Sequence, residues 1–147
     1  MKMRRVFLAL LVAIAMGTAV PVTAQVPTVQ QAISAYLSAL PADFNGIAAP
    51  ALKARLDAGE KIFLLDVREA TEYANGHIAG AVNIPIRTLV ANLDKLPPRD
   101  APIVAYCGVG TRGAYATMAL VMLGYTNVKN LGLGLNGWTA QGFPTVK

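Results

Sequence analysis

The sequence predicts an α/β domain of three layers, with a central mostly parallel sheet flanked by helices. Two unbroken apolar runs lead to it: Ile62-Phe63-Leu64-Leu65, which ends in Asp66, and Ile103-Val104-Ala105-Tyr106, which ends in Cys107. Strands covered by helices on both faces have no polar side to show, so they read as continuous apolar runs. Segments of helical spacing separate the two, and strands joined through helices pair in parallel by right-handed crossovers. In such sheets ligands bind beyond the carboxyl ends of the strands. Asp66 and Cys107 both fall at that edge.

Residues 1–24 read as a signal peptide outside the fold. Lys2, Arg4 and Arg5 precede an uncharged apolar run from Val6 to Met16, and Val22-Thr23-Ala24 supplies the small residue a signal peptidase requires before Gln25. The uncharged stretch meets Pro21 after fifteen residues, short of the roughly 18–20 that cross a bilayer. The expectation is therefore export to the periplasm or medium, with no stable membrane insertion after cleavage. Arg4-Arg5-Val6-Phe7-Leu8 also resembles a twin-arginine signal, so either export route fits. With the leader go three of the 13 basic residues, leaving ten against eight acidic ones. That small balance, with no Lys/Arg cluster, excludes an electrostatic footprint for nucleic acid.

The remaining chain divides into an N-terminal helix with its connection, residues 25–46, and one domain, residues 47–147. Thr28 and Gln31 have the spacing of a capping box. Val29, Ile33, Tyr36, Leu37 and Leu40 then share one helical face, which needs a surface to cover it, and Pro41 ends the helix. A short strand is expected near Ile47. A second helix runs from Pro50 to Ala58 and is closed by Gly59. Ala81 to Ile84 is a short strand, and Leu89, Leu93 and Leu96 mark a helix stopped by Pro97-Pro98. After Cys107 an almost wholly apolar helix spans Arg112 to Leu123. A strand near Val128 and a last helix carrying Leu135 and Trp138 complete the chain, with Trp138 read as core.

The segment Cys107-Gly108-Val109-Gly110-Thr111-Arg112 stands where a buried strand turns into a buried helix. Its glycines let the backbone curl so that successive N–H groups face inward, adding an anion-binding nest to the free N–H groups of the helix start. A sulfur in that cup is a thiolate candidate, because helix N-termini and nearby cations depress cysteine pKa values. Free cysteine is otherwise a small buried hydrophobe. Arg112 argues for the reactive reading, since a cation in the first helical turn opposes the macrodipole unless an anion sits there. Cys107 is also the only cysteine, and an exported thiol with nothing to pair with needs a reason to be alone.

Several motifs in order now resemble the rhodanese sulfurtransferase family. Asp66-Val67-Arg68-Glu69, Glu72-Tyr73, Gly76-His77-Ile78-Ala79-Gly80-Ala81 and Asn83-Ile84-Pro85 look like its first signature; Cys107 to Arg112 looks like its active-site loop; Leu123-Gly124-Tyr125 and Asn136-Gly137-Trp138 look like its closing elements. The resemblance implies a rhodanese-like fold and a thiosulfate sulfurtransferase-like activity. Cys107 would take a sulfane sulfur from a small sulfur-containing anion such as thiosulfate and hold it as a persulfide among the N–H groups of residues 108 to 112. A small thiol or cyanide would then remove it, with no metal or organic cofactor. It also implies scaffold roles, in ion pairs and loop anchoring, for Asp66, Arg68, Glu72 and His77. The chain departs from the family in two places: Gly108 and Val109 stand where many members have basic residues, and Leu133-Gly134 replaces a Gly-Gly pair.

Two other functions fit parts of the pattern. Phosphatases and arsenate reductases of related architecture place five residues between cysteine and arginine, whereas four separate Cys107 from Arg112, a smaller cup better sized for one sulfur. A non-catalytic partner-binding module would have no need of Cys107, its glycines and Arg112 together.

Overall fold

In the computed structural model, which describes residues 27–147, five strands form one sheet: β1 Gly46–Ile47, β2 Phe63–Asp66, β3 Val82–Asn83, β4 Ile103–Tyr106 and β5 Val128–Leu131. Their order is β1-β5-β4-β2-β3, and every pairing among them is parallel. The two apolar runs are neighbours at the centre, with Leu65 beside Ala105 and Asp66 beside Tyr106. The expected leader, residues 1–24, lies outside the described residues.

Strand alternation sorts the core into two layers. Ile103, Ala105 and Cys107 project with Leu65 and Val67 toward one face, where they meet Leu89, Ala116 and Leu120. Val104 and Tyr106 project to the other, among Leu52, Ile78, Leu131 and Trp138. Helices α2 (Ala49–Asp57) and α5 (Gly134–Ala140) cover the second face, and α4 (Thr111–Met122) covers the first. Because Cys107 shares the face that α4 packs on, its side chain arrives under the start of that helix.

Helix α1 (Val29–Ser38) carries the expected capping box: the Gln31 N–H donates to Thr28 Oγ1, and the Thr28 N–H to Gln31 Oε1. Its apolar stripe is divided in a way the periodicity does not show. The helix packs on α4, with Ala32, Ala35 and Tyr36 beside Val121 and Met122, while Val29 and Leu37 remain exposed.

Two further elements carry detail that the sequence pattern does not show. The segment Ile86–Lys95 is a 3₁₀ helix broken at Asn92, not an α-helix. The Asn92 side-chain amide donates to the carbonyl of Thr88, the acceptor an α-helix would reserve for the Asn92 backbone N–H. Helix α3 (Ala70–Ala74) has only five residues, held by a reciprocal cap between Glu69 and Glu72. It is too short for apolar spacing to reveal.

Candidate active site

The C-terminal edge of the sheet is built on a buried ion pair. Asp66 ends β2 fully buried, and the chain turns so that Arg68 reaches back to it: Nε lies 2.9 Å from both carboxylate oxygens, and Nη2 lies 2.5 Å from Oδ2. Arg68 also donates to the Gly76 carbonyl at 2.8 Å, and the Asn83 amide donates to the carbonyls of Asp66 and Arg68. These bonds close one loop on the next. His77 is part of the same framework: its ring stacks on Tyr73, and its backbone exchanges two hydrogen bonds with Val146. Tyr106, at the end of β4, accepts the Ile78 N–H, and burial pushes its phenol far up, so it stays neutral.

Beside this frame β4 ends and the loop begins. Gly110 has φ 101°, a left-handed conformation that an L-side chain resists, and it caps α4. The turn brings its N–H to 3.2 Å from Cys107 Sγ. Burial raises the thiol pKa, but the N–H groups of Gly113, Val109, Gly110 and Arg112 lower it by more, so Cys107 ionises below the ordinary cysteine value. Gly108 and Thr111, also expected in the site, belong to the loop in other ways. Gly108 gives its carbonyl to the Asn136 N–H, and Thr111 opens α4 with an exposed side chain.

Gly113 is a sulfur-facing group that sequence reasoning passed over. It lies in the first turn of α4, one residue beyond the motif, and its Cα is covered by the Asn130 side chain, which leaves no space for a Cβ. The start of α5 is another. Leu135 and Asn136 donate N–H groups to the carbonyls of Cys107 and Gly108, at 2.7 and 2.9 Å. With those carbonyls held outward, the N–H groups of the loop turn inward to the sulfur. Neither contribution involves a side chain, so residue type gives little signal beyond the glycines themselves.

Arg112 is not aimed freely into the cup. Its guanidinium forms a two-pronged ion pair with Glu72 of α3, Nη1 to Oε2 at 2.7 Å and Nη2 to Oε1 at 2.8 Å. The carboxyl of Glu72 is held down to about 2, chiefly by Arg112 and further by the Glu69 N–H. Arg112 keeps its proton more firmly for the same reason, with the Cys107 sulfur a weaker contributor. Its Nη2 lies 3.9 Å from where a side chain on Gly108 would begin, so the guanidinium curls back over the loop. Elsewhere in the loop Val109 is 61% exposed, while Leu133, whose backbone N–H adjoins Gly110 in a left-handed conformation (φ 59°), sets its side chain over Gly137 of α5.

A buried thiol at a helix start, ringed by backbone donors and an arginine, coincides with a match of residues 48–141 to the rhodanese-like domain model. The chain belongs to the rhodanese family. It is 33% identical over 102 residues to a sulfurtransferase of Allochromatium vinosum, covering 69% of this chain and 94% of that one. Over 92 residues it is 33% identical to the chloroplastic thiosulfate sulfurtransferase 16 of Arabidopsis thaliana, covering 55% of this chain and 77% of that one. Over 95 residues it is 43% identical to a helix-turn-helix-type transcriptional regulator of Mycobacterium tuberculosis. That match takes in 61% of this chain but only 39% of the regulator's length. Among solved structures, a rhodanese-related protein from Thermoplasma volcanium superposes with a TM-score of 0.62 at 35% identity, covering 69% of this chain and 96% of that one. The sheet and its flanking helices are thus a rhodanese-like fold, and sulfurtransferases are among the relatives that match across this rhodanese domain.

Proposed function

We propose that this rhodanese moves a sulfane sulfur through a persulfide on Cys107, from thiosulfate or another persulfide donor to a thiol or cyanide. One observation carries the reading: Cys107 Sγ sits at the base of a cup of N–H groups that favours an anionic sulfur without a general base. The only histidine, His77, is committed to Tyr73 and Val146. In the first step the thiolate attacks the outer sulfur of thiosulfate, the S–S bond of the donor breaks, and sulfite departs with its electron pair. In the second step cyanide attacks the terminal sulfur and leaves as thiocyanate, restoring the thiolate. The terminal sulfur of the intermediate is anionic, so the donors that lower the thiol pKa also hold the persulfide. We further propose that the protein works outside the cytoplasm, after cleavage behind Ala24.

Intact mass spectrometry of the exported protein after exposure to thiosulfate, polysulfide or cysteine persulfide tests both parts. The expected product begins at Gln25 and gains the mass of one sulfur, which cyanide removes and which Cys107→Ser never acquires. Absence of a cyanide-labile sulfur with every donor would end the proposal.

A further inference from the structure

The loop that faces the sulfur contains one cation, Arg112, and Glu72 takes one N–H from each terminal nitrogen of its guanidinium and balances its charge. Both side chains are partly exposed, 33% for Arg112 and 39% for Glu72, so the pair lies at the mouth of the cup where a donor must enter. The same loop presents Val109, an exposed aliphatic side chain.

We infer that Glu72 is a specificity-determining residue that keeps Arg112 from doubly charged oxyanion donors and so turns the Cys107 cup toward sulfur carried on an organic persulfide. This deepens the sulfurtransferase proposal and rests on it. Thiosulfate brings two negative charges to a thiolate, and its departing sulfite keeps both. A cation free to bind the sulfonate would offset that repulsion, but the Glu72 carboxylate already balances Arg112. An organic persulfide makes no such demand. Cys107–S⁻ and R–S–SH give Cys107–S–S⁻ and R–SH: the S–S bond of the donor breaks, and its proton passes to the departing thiol sulfur. With the donor reacting in its protonated form, the reacting sulfurs carry one negative charge throughout, and the backbone N–H groups serve it. The carbon body R meets Val109, which offers contact to an aliphatic group and no hydrogen bond to a sulfonate.

Glu72→Gln keeps an acceptor for the Glu69 N–H and removes the charge that balances Arg112. Kinetics would be measured with thiosulfate and with cysteine persulfide. The expected result is a rise of roughly tenfold in the ratio of kcat/KM for thiosulfate to kcat/KM for the persulfide, carried mainly by a lower KM for thiosulfate. The double variant Glu72→Gln/Arg112→Gln should lose that gain, which assigns it to the released guanidinium. Sulfate protection of Cys107 against alkylation gives a readout that needs no turnover: stronger protection is expected in Glu72→Gln than in the wild type, and Glu72→Ala serves the same measurement if the amide does not fold. A ratio and a protection both unmoved by either variant would overturn the inference. If the wild type takes sulfur from neither donor, it is the sulfurtransferase proposal that fails.

Discussion

Glu72 and Arg112, forty residues apart in the chain, join α3 to the start of α4 through two hydrogen bonds of 2.7 and 2.8 Å. The pair has a measurable consequence for stability. The carboxyl of Glu72 lies at about 2 in the folded protein, below its ordinary value of 4.5, so the unfolded chain takes up its proton first as pH falls. The stability it contributes is complete above about pH 4.5 and is lost as pH falls toward 2. Because both groups are about one-third exposed, solvent screening limits the contribution to about 1 kcal/mol or less. Urea midpoints of the wild type and Glu72→Gln should differ at pH 6, draw together as pH falls, and converge below about pH 2. A difference undiminished at pH 2.5 would mean the carboxylate charge is not its source.

Cys107 should ionise at a lower pH than a free cysteine. Its folded pKa is lowered, with backbone donors outweighing burial, so alkylation by iodoacetamide should rise along a single titration whose midpoint lies below the roughly 8.5 of a free cysteine. Arg112→Gln removes a cation that interacts with the sulfur, and its midpoint should move up. A wild-type midpoint at or above the free-cysteine value would remove the case for a nucleophile that needs no base.

The buried pair of Asp66 and Arg68 belongs to the frame and not to the sulfur chemistry. Arg68→Met would leave the fully buried Asp66 carboxylate facing no cation, at a cost of roughly 3–5 kcal/mol. The loss should appear as a large drop in urea midpoint, well beyond that of Glu72→Gln. In protein that remains folded, the pH midpoint of Cys107 alkylation should stay near that of the wild type. A shift as large as that of Arg112→Gln would give Arg68 a part in the site.

How much of this was legible in the sequence depends on which physical signal each element carries. The central strands announced themselves because burial on both faces leaves no polar position between Phe63 and Leu65 or between Ile103 and Tyr106. The Cys107 loop was legible because a nest requires glycine, as Gly110 shows with its positive φ. Asp66 and Glu72 could be read as framework residues, but the partner of Glu72 could not be read, since its ion pair exists only once β2 and β4 lie side by side. Five-residue α3 fell below the length at which periodicity speaks. The exposure of Val29 and Leu37 was hidden for another reason: spacing defines an apolar face but does not say which edge of it meets the neighbouring helix.

The support that α5 gives the loop yields the last prediction. Gly134 has φ 54°, and a Cβ there would run into the Cys107 carbonyl and approach within 2.8 Å of the carbonyl carbon and oxygen of Gly108. These are backbone atoms, which cannot step aside as a flexible side chain would. Gly134→Ala therefore combines overpacking with a left-handed backbone, and together they should cost roughly 2–4 kcal/mol. The Leu135 and Asn136 N–H groups would be pushed off the carbonyls of Cys107 and Gly108, freeing the loop to turn its own N–H groups away from the sulfur. Alkylation midpoints should then move toward the free-cysteine value even in variant protein that stays folded. Gly142→Ala is the matched control, because it also replaces a left-handed glycine (φ 73°) but has open space around the new Cβ. It should lose some stability and leave the cysteine midpoint in place. If both variants shift the midpoint equally, the contact between α5 and the loop does not tune Cys107.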